Sequence, residues 1–218
     1  MQLKFGIDAL DAGATLDRIG FPEALSRGAG RIEGEVSWLG SPLDIDYPTL
    51  SGRVSLTLDN GRFLKDDTGN AARLLALLSL QSLGRNLAAD GGGQFAEGFS
   101  FTSIRADAAI DRGTLKTDNF RMNGASAAVL MSGTIDLRSE TQQLSIIVLP
   151  EIDASTAALA VGVVNPVLGL GTFLAQLALK NPLSRALALQ YDVTGSWTDP
   201  VVTRRSRVSP TPSTESAR

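Results

Sequence analysis

Apolar residues recur at every second position through most of this sequence, and residues of tight turns separate the runs. Leu3, Phe5, Ile7 and Ala9 alternate, a spacing that places one apolar row on one face of a strand. Ile32, Val36 and Trp38 stand two or four apart, and Leu43, Ile45 and Tyr47 continue the alternation. Val54, Leu56 and Leu58 lead to Asp59-Asn60-Gly61. That tripeptide predicts a hairpin, because Asn and Gly tolerate the positive φ of a tight turn, and Arg62-Phe63-Leu64 would be its return strand. Phe99 and Phe101, then Ile104, Ala106, Ala108 and Ile110, alternate up to the turn Asp111-Arg112-Gly113. Phe120 and Met122 precede Asn123-Gly124. Val129, Met131, Ile135 and Leu137 follow, and Leu144 to Leu149 closes the run before Pro150. Ala186 to Thr194 and Val201-Val202 read as two last strands. Consecutive strands joined by short turns predict an antiparallel meander.

The period changes in three places. Asp11 to Ile19 predicts a short helix with Asp11 as N-cap, stopping near Gly20-Phe21-Pro22. Thr68 to Leu83 carries Leu74, Leu75, Leu77, Leu78 and Leu80 and predicts a Leu-rich helix, apolar on more than half its circumference. Residues 154–179 hold no charge over 26 positions. That length passes the test for a membrane span, but Asn165-Pro166 in the middle argues for two helices, Ser155 to Val164 and about Val167 to Lys180. In the second, Leu170, Phe173, Leu174 and Leu177 share one face, and Thr172, Gln176 and Lys180 form a polar stripe. This helix pair either covers the sheet or touches lipid. Residues 203–218 read as a disordered polar tail, its Arg204, Arg205 and Arg207 solvated.

The 218 residues include no histidine and no cysteine. Disulfides, thiol nucleophiles and any Ser-His-Asp arrangement are therefore excluded. A net charge of −3 offers no basic field for nucleic acid. Gly169-Leu170-Gly171 imitates a dinucleotide fingerprint, but Leu174 holds the third glycine position and Pro166 interrupts the strand that should precede it. Asp44 and Asp46 would share a strand face and Asp66-Asp67 is a second acidic pair; a solvated edge or a helix cap accounts for both. No metal or cofactor site is expected. No signal peptide precedes the first strand pattern, and a chain opening inside a strand reads as a piece of something longer.

The motifs also follow a particular order. Asp59-Asn60-Gly61-Arg62-Phe63 leads into the segment with Leu77-Leu78-Ser79-Leu80-Gln81, and Phe95-Ala96-Glu97-Gly98-Phe99-Ser100-Phe101 comes next. Val148-Leu149-Pro150-Glu151-Ile152 closes the meander. Asn165-Pro166 then precedes Gly169-Leu170-Gly171-Thr172-Phe173-Leu174-Ala175-Gln176, and Tyr191-Asp192-Val193-Thr194-Gly195-Ser196-Trp197-Thr198-Asp199-Pro200 ends the series. This series resembles the C-terminal region of the YhdP family, large AsmA-like proteins of Gram-negative bacteria, over roughly residues 1–203.

The resemblance implies a bridge anchored in the inner membrane, whose twisted sheet forms a groove carrying phospholipid across the periplasm. Residues 1–202 would be its C-terminal domain, at the inner leaflet of the outer membrane, with the rest of the parent chain upstream. The expected fold is thus α+β: a curved antiparallel sheet with a Leu-rich helix and a C-terminal apolar helix pair. The expected function is non-enzymatic phospholipid transport. Leu170, Phe173, Leu174 and Leu177 would face lipid or membrane, and Phe99, Phe101, Leu144, Ile146 and Val148 are candidate lining positions. A structural β-module of the envelope, with a fully packed core and no cargo, would show the same alternation. A nucleotide-binding enzyme would instead need a βαβ unit around Gly169.

Overall fold

The computed structural model describes residues 1–64, 99–124, 127–150 and 188–205. They form one curved, unclosed antiparallel sheet of nine strands in sequence order. The strands are β1 (Gln2–Ala9), β2 (Leu25–Ser37), β3 (Ser51–Phe63), β4 (Phe99–Asp111), β5 (Thr114–Gly124), β6 (Ala127–Asp136), β7 (Thr141–Pro150), β8 (Leu189–Ser196) and β9 (Pro200–Arg204). The described residues are therefore mostly β, where the sequence predicted α+β. The Leu-rich helix and the apolar helix pair lie outside the described residues.

The predicted short helix is α1 (Ala12–Arg18), and the Asp11 carboxylate accepts the Ala14 N–H at 3.0 Å as its N-cap. The connections that follow β1, β3, β5 and β7 all leave from the α1 end of the sheet. The opposite end carries the short turns and the loop between β2 and β3. The turn predicted at Asp111-Arg112-Gly113 is made by Arg112 (φ 46°) and Gly113 (φ 78°) between β4 and β5, with Asp111 the last residue of β4.

The alternation folds into one continuous apolar face. Ala9, Gly30, Leu58, Ile104, Met122, Val129, Val148 and Leu189 sit opposite one another across eight strands. From Leu58 to Val148 this row is buried, and Phe101, Phe120, Met131, Leu144, Ile146, Tyr191 and Val193 belong to the same core, with Ala12 and Leu16 of α1 packed on it. On β6 and β7 the other face is buried as well, at Ala128, Leu130, Ile147 and Leu149. An unbroken apolar run is the expected sequence of a strand covered on both sides.

Two predictions fail here. Asp59-Asn60-Gly61 is not a hairpin. β3 runs through it and stays paired with β2 and β4 on either side. Asn60 does take the positive φ that the motif predicted, 54°, but inside a strand, where it breaks the alternation of faces while the register with β2 and β4 stays constant on either side. Core-facing positions step from Leu58 to Gly61 instead of Leu58 to Asn60. The neighbours make the same step, from Leu25 to Gly28 on β2 and from Phe101 to Ile104 on β4. Because the irregularities lie side by side, the apolar phase changes in all three strands together. Gly61 is needed for packing: a Cβ there would lie 2.4 Å from the Phe101 ring, which stacks at a tilt on Phe63 with centroids 5.3 Å apart.

Leu43, Ile45 and Tyr47 do not continue a strand either. Residues 38–50 form a loop closed by a 3₁₀ turn at Tyr47–Thr49. Pro42 and Pro48 lack the N–H that a ladder requires. β2 also starts earlier than the apolar pattern predicts, at Leu25, because Gly28 and Gly30 stand where apolar side chains would mark the face.

Gly61→Ala is expected to destabilise the fold by about 1–3 kcal/mol through the clash with Phe101, whereas Asn60→Gly, which suits the positive φ, stays within about 0.5 kcal/mol. Urea denaturation checks both.

Candidate functional site

The apolar face is not covered evenly. Among the described residues its open part lies on β1 to β3. Leu3 and Ile7 of β1 are 42% and 49% exposed, and Phe5, Ile32, Val36, Val54 and Leu56 beside them are half-buried. Ile7, Ile32, Leu56 and Ala106 are directly opposed, so this row runs from an open edge toward the core. Glycine thins the surface between the large side chains: the Phe5 ring lies over Gly34, whose Cβ would come within 2.9 Å of it.

The opposite face of these strands is polar and largely self-neutralised. Arg31 reaches Asp8 at 2.7 Å and Glu33 at 2.8 Å, and Arg105 reaches Asp59 at 2.7 Å. Ser55 and Asn119 both hydrogen-bond the Asp107 carboxylate. Pairs this exposed are screened by water and contribute little to stability. Their main effect is to assign this face to water and leave the other to apolar contact. The sheet thus has the two-sided character that period-two alternation predicts.

The two sheet edges differ. β9 is five residues long and begins with Pro200, features that blunt an edge. Arg205, just beyond it, donates to both Asp192 oxygens at 2.8 Å, and Ser145 donates to the same carboxylate at 2.9 Å. The Arg205 guanidinium holds the Asp192 carboxyl below its ordinary range, against partial burial that pushes the other way and with help from Ser145. Thr203 and Arg204, assigned from sequence to the tail, belong to β9, and Arg205 is paired rather than simply solvated. β1, in contrast, has a neighbour only in β2 among the described residues, and its apolar side chains point into the open part of the face.

The sequence-predicted site residues fall into three groups. Phe101, Leu144, Ile146 and Val148 are brought together, and all four are buried in one core. Phe99 pairs with Phe63 at the start of β4. Leu170, Phe173, Leu174 and Leu177 lie outside the described residues, as does the acidic pair Asp66-Asp67. Asp44 and Asp46 lie in the 38–50 loop and not on a strand face; Asp46 accepts the Thr49 hydroxyl at 2.6 Å. Leu3, Ile7, Ile32 and Leu56 were legible as strand residues but not as an open surface. Among the described residues no group of three or more acidic residues could hold a metal ion, and no helix is long and apolar enough to cross a membrane.

The buried and open parts of one face should respond differently to substitution. Ile146→Ala is expected to cost about 2–5 kcal/mol in urea denaturation, and Ile7→Thr less than about 0.5 kcal/mol. Leu3→Thr with Ile7→Thr should nevertheless reduce binding of an apolar fluorescent dye, which Ile146→Ala in a folded sample should not.

The Asp192–Arg205 pair predicts a pH effect. A carboxyl whose pKa is depressed by folding stabilises the fold above its unfolded value, about 4, and loses that contribution as pH falls through the folded value. Asp192→Asn should therefore melt below the parent chain at pH 7, with the gap narrowing as the pH falls below the unfolded value.

Comparison with known proteins bears on what this face does. The family model described as YhdP protein matches residues 1–202. The intermembrane phospholipid transporter YhdP of Escherichia coli (strain K12) is 31% identical over 201 residues, which is 92% of this chain and 16% of that protein. The chain thus spans about a sixth of the length of that relative. No solved structure matches the chain.

Proposed function

The chain belongs to the YhdP family, and from that membership we propose that it is a segment of a non-enzymatic carrier that moves phospholipid between membranes. The observation that carries this reading is the one-sided sheet: an unclosed apolar face that runs from the exposed edge at Leu3 and Ile7 to the core. Acyl chains laid on such a face gain about 0.8 kcal/mol for each methylene taken out of water. Two chains can be held this way without a strong polar contact. That favours sliding along the face over capture at one point.

In this reading the segment works in the periplasm, as the outer-membrane end of a bridge whose parent protein is anchored in the inner membrane. The upstream chain supplies the rest of the groove. The β1 edge is the side from which lipid arrives. Phe99, Phe101, Leu144, Ile146 and Val148 belong to the lining, and Leu170, Phe173, Leu174 and Leu177 present the surface that meets lipid or the inner leaflet of the outer membrane. The burial of Phe101, Leu144, Ile146 and Val148 supports a second reading, a packed envelope module without cargo.

Native mass spectrometry of the chain purified from a Gram-negative host, followed by lipid extraction, separates the two. Phospholipid that co-purifies with the chain and is lost in the Leu170→Asp plus Leu174→Asp variant is the expected result. A lipid-free monomer with a cooperative melt would favour the packed module.

A further inference from the structure

The loop between β2 and β3 exposes four large apolar side chains within nine residues. Leu39 is 69% and Leu43 96% exposed, and Ile45 and Tyr47 are each nearly half exposed. Scattered exposed leucines are ordinary, but a cluster on one ordered element marks an interaction surface.

This loop is ordered by its own contacts. Trp38 is buried with Leu50 and Ile110 in a small core of its own, and its indole N–H donates to the Ser41 carbonyl at 2.8 Å. The Leu39 N–H donates to the Thr49 hydroxyl at 2.9 Å, and that hydroxyl donates in turn to Asp46. The Leu43 N–H donates to the Ser41 hydroxyl at 3.2 Å. At its far end the Leu50 carbonyl accepts the Gly113 N–H of the neighbouring turn at 2.8 Å. The loop is therefore held in shape by Trp38 and by hydrogen bonds, and none of that requires Leu39 or Leu43. A pre-shaped apolar surface loses little entropy when it docks.

Charge decides what it fits. From Leu39 to Leu50 the loop has two acidic residues, Asp44 and Asp46, and no basic one. Asp44 stands between Leu43 and Ile45, so burying both apolar side chains takes its carboxylate along. Hydrocarbon cannot compensate that charge, and an anionic membrane surface would repel it. A protein surface can meet it with Lys or Arg.

We infer that residues 39–47 form a docking loop for a protein partner, one presenting an apolar cleft for Leu39 and Leu43 with basic side chains at its rim to meet Asp44 and Asp46. The surface lies at the end of the strands opposite α1, apart from the apolar sheet face, so it does not depend on phospholipid being the cargo.

The test places a benzophenone amino acid at Tyr47 of the full-length protein, crosslinks in intact cells and identifies adducts by peptide mass spectrometry. A control places the same group at Leu10, equally exposed (95%) but at the α1 end. The expected result is one identified protein adduct from position 47, absent from position 10. Its yield should fall about tenfold with Leu43→Asp and fall further at high salt. Asp44→Asn should lower the yield and remove most of the salt effect. Leu43 contributes almost nothing to packing, so its variant folds, and Leu10→Asp serves as the matched folding control. A phospholipid adduct, the same protein adduct from both positions, no adduct, or a yield indifferent to Leu43→Asp would each overturn the docking loop.

Discussion

A single open sheet cannot bury both its faces by itself, and the rest of this structure depends on that constraint. The backbone ladder holds nine strands side by side, but hydrogen bonding is indifferent to which face is apolar. The side chains decide that, and they place a continuous apolar row on one face from Ala9 to Leu189. From Leu58 on β3 to Val148 on β7 the row is buried. The face is open to solvent at Leu3 and Ile7 on β1 and half-buried at Ile32, Val36, Val54 and Leu56 on β2 and β3. The physical tension is between the free energy of covering that surface and whatever advantage leaving it uncovered gives, and in a lipid carrier that advantage is room for acyl chains.

Keeping one face apolar over strands of thirteen residues requires the side-chain phase to survive local defects. A one-residue slip in a strand sends every following side chain to the wrong face. β2, β3 and β4 each contain such a slip, and they contain it at the same level. Arg27 and Asn60 take positive φ there, 62° and 54°, and Gly61 leaves space for the Phe101 ring. The defect crosses three strands without exchanging the apolar face for the polar one. On β1 to β4 the polar face, with its Arg–Asp and Arg–Glu pairs, stays largely in water.

The edges and the loop carry the remaining functional content. β9 is short, begins with proline and is clipped by Arg205 to Asp192. β1 is longer and apolar on its open side. This asymmetry gives the sheet a direction.

Much of the fold was legible in the sequence because alternation is a local property. Successive Cβ atoms on a strand point to opposite faces whatever the strand pairs with, so Leu3-Phe5-Ile7, Val54-Leu56-Leu58 and Leu144-Ile146-Val148 announced strands with one apolar side. The Asp11 cap and the Arg112-Gly113 turn were legible for the same reason, since each is decided within four residues. Asn60-Gly61 was legible only in half. Its positive φ is local, but whether that φ turns a chain or sits within a continuous strand depends on β2 and β4, which pair on both sides of it. Leu43, Ile45 and Tyr47 were misread as strand because Pro42 and Pro48 break a ladder that alternation alone cannot see. The candidate lining was recognised as apolar at Phe101, Leu144, Ile146 and Val148, yet the open part of the same face lies at Leu3 and Ile7. Sequence determined which face each side chain takes. Tertiary structure decided which of those faces is covered, because coverage depends on neighbours remote in the chain.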